Sequence, residues 1–586
     1  MTDSKYAQST AAFLPYKSDA DPRAKFLSID QYGPYERLGG PADDDDFIHE
    51  PGQRNLEVGG FSWRGLINIA MIILLLIALL TLFAVYPIVM DFTMKRPWES
   101  FHFNGTGQIP ALTLLPSAID PVTPKDVYTR IGVDGQEYEL VFSDEFETPG
   151  RSFYPGDDPF WEAVDLWASH GFMLPQYWAT GDLEWYDPGQ VTTRDGALVI
   201  VIEDQESHGR IFKSGMIQSW NKFCFTTGYM EVSVIFPGAP DVSGYWPGVW
   251  MMGNLGRPGY GATADGLWPY SYDTCDVGTL PNQTLNGEPA IAATAGGNKK
   301  YNYNLSWQPG QRLSACTCPG EDHPGPVNTK GRAAPEIDIF EAQKNKEGYG
   351  GRVTQSVQLA PFNNLYYFPN TSADVTIYNP QRTKLNTYRY VQQAISALTD
   401  LNDTAFELGG AQFTKFGVEF WSDPNNRQDG HIAWIADQPV FAIDALTFSA
   451  DPTVNISDRI IPEEPMAMVL NLAVSESFQK VDVAAMTFPA EMKVDYVRVW
   501  QRKGLKDSVT CDPPNYPTAK YINDHINVYT NPNLTLWSET GYSKPKNRLV
   551  RLCSLRLRNF SSHLSPRLTN AEVALARAFT SMFPLF

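Results

Sequence analysis

The residues best suited to chemistry lie in Glu336-Ile337-Asp338-Ile339-Phe340-Glu341, where three carboxylates alternate with Ile, Ile and Phe. β-branched and aromatic neighbours predict a half-buried strand with acids on one face. Strand alternation groups Glu336 with Asp338 and leaves Glu341 on the opposite face. One extra residue, a β-bulge near Ile339 or Phe340, returns Glu341 to the side of the other two. Four residues of rise then separate the glutamates by roughly 13 Å along the backbone. Long side chains leaning over Asp338 close that towards the ~5 Å gap of a retaining glycosidase. The plain alternative is an acidic face turned to water, so the surroundings must decide.

Composition narrows the choice. The chain has 586 residues, net charge −20, 15 Trp and 28 Tyr. A basic stripe for nucleic acid is missing, and an acidic chain repels anionic polymers, whereas neutral polysaccharide is compatible. High Gly and Pro with many aromatics suits a β-sandwich with long loops.

Residues 1–64 are polar, carry Asp43-Asp44-Asp45-Asp46 and read as a disordered cytosolic tail. From Leu66 to Met90 run 25 residues without a charge, interrupted by Asn68, Thr81 and Tyr86-Pro87. Such a run predicts a transmembrane signal anchor over 65–90, followed by a lumenal stem over 91–130. Flanking charge is silent on orientation, with Arg54 and Arg64 on one side and Lys95 and Arg96 on the other. Asn104, Asn282, Asn304, Asn370, Asn402, Asn455, Asn533 and Asn559 all open Asn-x-Ser/Thr sequons, and all follow the span. So do all six cysteines, which predicts an oxidising compartment and type II topology in the secretory pathway (endoplasmic reticulum, Golgi or plasma membrane). Six cysteines allow fifteen pairings, and none is favoured by spacing.

Residues 131–505 read as strands punctuated by turns, clearest at 138–142, 197–202, 229–235, 417–421, 431–435 and 494–500. No Gly-rich phosphate loop opens a helix, which disfavours nucleotide-binding folds. The expected class is all-β, a two-sheet antiparallel sandwich enlarged by loops and preceded by one transmembrane helix. Residues 259–335, rich in Gly, Asn, Pro and Thr, form a long insertion just ahead of the acidic strand, placed to shape a binding cleft.

Five landmarks in order resemble glycoside hydrolase family 16, the laminarinase-like β-glucanases. They are Phe142-Ser-Asp-Glu-Phe146, Gly244-Tyr-Trp-Pro-Gly-Val-Trp-Met-Met252, the acidic strand, Asn471-Leu-Ala-Val474 and Val494-Asp-Tyr-Val-Arg-Val-Trp500. The signal anchor, Asp273-Thr-Cys-Asp276, Cys316-Thr-Cys-Pro-Gly-Glu-Asp-His-Pro-Gly325 and Cys511-Asp-Pro-Pro-Asn-Tyr-Pro517 resemble the fungal β-glucan synthesis-associated membrane proteins. The resemblance covers roughly residues 60–547, with 506–547 as a C-terminal extension of the lumenal domain. It implies a jelly roll of the concanavalin type and a part in making wall β-1,6-glucan. Residues 548–586 are a basic tail outside the recognised pattern; from Lys544 onward eight Lys or Arg face one acid, Glu572.

Carried over residue by residue, the resemblance makes Glu336 the nucleophile and Glu341 the acid/base, with Asp338 sharing a proton or hydrogen bond with Glu336. It offers Trp220, Trp246 and Trp250 as stacking surfaces for β-1,3- or β-1,6-linked glucan, with packing into the core as the alternative for each and equally weighted for Trp250. Trp268, Tyr270 and Tyr272 in the insertion either touch glucan or anchor the loop, and His431 reads as structural. No cofactor is implied, and no cluster has metal-ligand spacing. A non-catalytic glucan-binding or scaffolding factor is the competing reading, and the intact carboxylates favour the enzyme.

Overall fold

The structure is a computed structural model that describes residues 63–81, 83, 117–166, 181–291, 308–362, 368–387, 394–551 and 553. The predicted tail up to residue 62, the stem up to residue 116, the end of the apolar run and residues 554–586 lie outside the described residues, as do Asn104, Asn304 and Asn559. The chain divides into two units, Met1–Met94 and Lys95–Phe586.

In the first unit an α-helix covers Trp63–Leu80, 18 residues whose large apolar side chains stand exposed all round. At 1.5 Å per residue it extends about 27 Å, short of the ~30 Å hydrocarbon layer. Among the described residues no helix is long and apolar enough to cross a membrane.

The second unit is all-β. Its described strands form one sheet of ten, one sheet of nine and a parallel pair, Glu184–Tyr186 with Phe212–Ser214. Pairing within the two large sheets is antiparallel throughout. All six strands expected from alternation are present, for example Gly228–Ile235, Thr414–Trp421 and Ala490–Arg502. The sheets meet in one core, to which the ten-stranded sheet sends Phe142, Val232, Trp434 and Val494. The nine-stranded sheet answers with Val249, Ile337, Phe340 and Leu470. Burying β-branched and aromatic faces against each other holds such a sandwich at roughly 25 cal/mol per Å² of apolar surface.

A second, smaller core lies beyond the end of the strand Tyr245–Gly253. There Met252 and Leu255 pack with Leu267, Trp268 and Leu313 of the insertion and with Tyr521, Val528 and Trp537 of the C-terminal extension. Disulfides Cys224–Cys511, Cys275–Cys316 and Cys318–Cys553 fasten these segments. The extension therefore reaches beyond residue 547. Arg548 donates its backbone N–H to Cys316, and Cys553 closes a bridge across 235 residues.

Candidate active site

Three adjacent strands of the nine-stranded sheet build the site: Tyr245–Gly253, Glu336–Lys344 and Met466–Val474. Their inward residues fill the core, and their outward residues share the other face. Along Glu336–Lys344 the register against Tyr245–Gly253 runs Met252↔Glu336, Trp250↔Asp338, Val249↔Phe340 and Gly248↔Glu341. Ile339 is the extra residue, so the bulge expected near Ile339 or Phe340 is present, and the strand Gly351–Gln358 registers the same shift. Ile339 and Phe340 are both fully buried, whereas Glu336, Asp338 and Glu341 share the outward face.

A bulge frees main-chain carbonyls inside a core, where each needs a partner. The Trp434 indole, from the opposite sheet, donates to the Asp338 carbonyl at 2.8 Å. The Gln355 amide donates to the Ile339 carbonyl at 3.3 Å.

Each carboxylate has its own donors. The Trp268 indole donates to Glu336 Oε2 at 2.7 Å, and the Trp246 indole to Glu341 Oε1 at 2.9 Å. Thr354 adds a longer bond to Glu341 Oε2, 3.4 Å. Asp338, 2 % exposed, accepts from Ser356 Oγ at 2.6 Å and from Gln358 Nε2 at 3.2 Å. Glu336 and Asp338 are also hydrogen-bonded to each other.

Burial pushes all three acids upward. Glu336 is raised well above the usual carboxylate range by desolvation, then by the charges of Asp338 and Glu341, against the opposing pull of the Trp268 N–H. Desolvation also raises Asp338, opposed by its bonds from Ser356, Glu336 and Gln358. Glu341 is pushed up to about 8 by desolvation and then Asp338, opposed by Trp246 and Thr354. Their shared bond raises Glu336 and lowers Asp338, so the proton between them rests on Glu336. The three acids titrate as one set, and near neutral pH that set retains protons.

The aromatic candidates separate. Trp246 and Trp250 are partly exposed on the outward face. Trp246 has one ring face stacked on Phe478, with centroids 4.3 Å apart and planes at 6°. Trp250 donates to Asn471 Oδ1 at 2.9 Å, and Asn471 Nδ2 donates to Tyr186 at 3.1 Å. Between Glu341 and Asn471 lies Gly248, bare because a Cβ there would stand 3.0 Å from Asn471 Oδ1.

Trp220 takes the packed alternative rather than that of an open stacking surface. It is 8 % exposed, stacked on Tyr529 at 5.5 Å, covered by the Arg257 guanidinium at 4.5 Å and bonded to the Asn254 carbonyl. The C-terminal extension supplies Tyr529, which no local pattern around Trp220 announces. Tyr270 and Tyr272 are buried at 0 % and 1 % and anchor the insertion, whereas Trp268 reaches the acids. Sequence reading missed Ser356, Gln358, Thr354 and Tyr186, ordinary strand residues whose place here depends on cross-strand register.

His431 belongs to a separate group with Asp134 and Glu419, whose ligand-type atoms lie within 4.8 Å of one another. Glu419 accepts from the backbone of Val133 and Asp134 and pairs with His431, while Asp134 is held by Arg502 and Tyr138. That geometry ties the turn after Thr129–Ile131 to the ten-stranded sheet, a structural task.

Residues 37–553 match the family described as beta-glucan synthesis-associated protein SKN1/KRE6/Sbg1. The chain belongs to that family. The match starts ahead of residue 60 and runs through Cys553, wider at both ends than the motifs alone indicated. The beta-glucan synthesis-associated protein KRE6 of Saccharomyces cerevisiae is 40% identical over 532 residues, 87% of this chain and 69% of that protein. The SKN1 protein of Candida albicans is 40% identical over 534 residues, 89% of this chain and 67% of that one. The chain thus spans about two thirds of the length of these relatives. Among solved structures, a non-specific endo-beta-1,3(4)-glucanase of family GH16 shares 18% identity at a TM-score of 0.36, over 64% of this chain and 96% of that one.

Proposed function

We propose that this chain is a membrane-anchored retaining glycosidase or transglycosylase that cuts and re-joins β-glucan during fungal wall β-1,6-glucan synthesis. One observation carries the reading. A bulge sets Glu336, Asp338 and Glu341 on one outward face, with a separate indole N–H on each glutamate. The family's name supports a part in β-glucan synthesis.

Glu336 Oε attacks the anomeric carbon, forming a glycosyl ester as the C1–O bond breaks. The leaving oxygen takes the proton of Glu341, whose raised pKa keeps that proton at neutral pH. Glu341, now a carboxylate, takes a proton from water or a sugar hydroxyl, whose oxygen attacks C1 and releases Glu336. A sugar acceptor in place of water turns hydrolysis into transfer. Before attack, the proton resting on Glu336 passes to Asp338, whose Oδ2 accepts from Ser356 and Gln358. Trp246 and Trp250 offer apolar surface to the sugar rings.

The anchoring has its own support. The helix Trp63–Leu80 exposes Leu, Ile and Met on every side, a surface that lipid rather than water accommodates. Five sequon asparagines, Asn282, Asn370, Asn402, Asn455 and Asn533, are exposed and open to glycosylation in the secretory pathway.

A second reading, a glucan-binding assembly factor without catalysis, is favoured by the proton that burial and two neighbouring acids hold on Glu336. A 2-deoxy-2-fluoroglucoside with an activated leaving group separates the two. Mass spectrometry of the digested protein should find a fluoroglucosyl ester on the peptide holding Glu336. Glucan binding without any such adduct would leave the second reading standing.

A further inference from the structure

The insertion ahead of the acidic strand does more than border the site. Its Trp268 is 8 % exposed, and its indole N–H meets Glu336 Oε2 at 2.7 Å. The residue belongs to one buried cluster with Leu267, Leu313 and Ala334 of the insertion, with Met252, and with Tyr521 and Trp537 of the C-terminal extension. Main-chain bonds fix its approach: Trp268 N–H to the Ala264 carbonyl at 2.9 Å, and Ala334 N–H to the Leu267 carbonyl at 3.1 Å. Arg312 ties insertion to extension, donating to the Thr263 carbonyl and the Tyr521 hydroxyl with its guanidinium 3.6 Å from the Trp537 ring centre. At Gly261 a Cβ would stand 2.9 Å from the Thr535 carbonyl, so the two segments touch backbone to backbone.

We propose that Trp268 is a positioning residue for Glu336, so that the insertion and its C-terminal buttress are working parts of the reacting centre. This rests on Glu336 being the nucleophile. A neutral N–H donor favours a carboxylate over a carboxylic acid and fixes the orientation of the oxygen it meets. The titratable groups acting on Glu336 are Asp338 and Glu341, both on its own strand. The strands beside it present Met252 and Gln358, and the insertion presents Trp268. Both acidic neighbours resist ionisation of Glu336, and the indole opposes them. A residue 68 positions earlier in the chain therefore weakens the hold of Glu336 on the proton it shares with Asp338 and eases its passage to Asp338 before attack.

The test uses the full chain in detergent, with Trp268→Phe removing the N–H and keeping an aromatic ring. Two readouts are taken: kcat and KM for glucan oligosaccharides against pH, and the ionisation midpoint of Glu336 by infrared difference against Glu336→Gln. Losing one bond to an ionised group should lower kcat about tenfold, leave KM within about twofold, and move the acidic limb up about one pH unit. The infrared midpoint should rise equally. An unmoved limb and midpoint would overturn the proposal, even with kcat reduced, because a purely structural role predicts that result. If the wild type turns over no glucan, the proposed function fails while the infrared midpoint still decides the role of Trp268. Should Trp268→Phe not fold, 15N-tryptophan labelling of the wild type decides. One indole N–H should titrate with Glu336 and cease to do so in Glu336→Gln, and a pattern identical in both proteins overturns the assignment.

Discussion

Trp434 donates its indole N–H to the main-chain carbonyl of Asp338, 2.8 Å away, from the opposite sheet of the sandwich. The two residues are 96 positions apart, and their bond crosses the core where the acidic strand departs from regular pairing. Core packing and the placing of Glu341 are thereby one problem. Trp434→Phe keeps most of the buried volume but strands a carbonyl, which costs about 1–3 kcal/mol. Thermal unfolding should show that loss, and glucan turnover should fall further than stability alone explains.

Glu341 makes a pH-dependent prediction whose sign follows from its raised pKa. A carboxyl at about 8 in the folded protein, against 4.5 unfolded, binds its proton more tightly when folded. The stabilisation is fully present below pH 4.5 and is lost as pH rises through about 8. Glu341→Gln removes that slope. Wild type and variant should melt at similar temperatures at low pH, where Glu341 is neutral, and wild type should fall behind as pH rises through about 8. Parallel curves would show that Glu341 titrates normally.

Cys553 lies past the last recognised motif and yet closes a bridge to Cys318 in the insertion. Cys553→Ser should lower stability by about 2–5 kcal/mol. The loss should be largest for probes in the insertion and the C-terminal extension, measured by hydrogen exchange. Uniform protection with an unchanged melting temperature would contradict the pairing.

Much of this was legible because strands advertise themselves by alternation. Val494-Asp-Tyr-Val-Arg-Val-Trp500 and Ala197–Ile202 read as strands and are strands. Even the bulge was legible, since Glu341 has no route to the face of Asp338 without an extra residue. Partners across long sequence separations were not. Trp220 looks like any cleft tryptophan until Tyr529, 309 positions later, is stacked on it. Trp268 gave no local sign that its N–H would meet Glu336. Ser356 and Gln358 face Asp338 through register alone, and register is set by two sheets closing on one core.

Catalysis by Glu336 and Glu341 would be seen in the products of glucan turnover. The chain would be incubated with β-1,3- and β-1,6-linked oligoglucosides beside Glu336→Gln and Glu341→Gln, and followed by mass spectrometry. Shorter or longer oligosaccharides should come from the wild type, with each variant slower by about 10²-fold or more. Equal binding of the sugars by all three proteins, with no product from any, would contradict catalysis and leave a glucan-binding assembly factor.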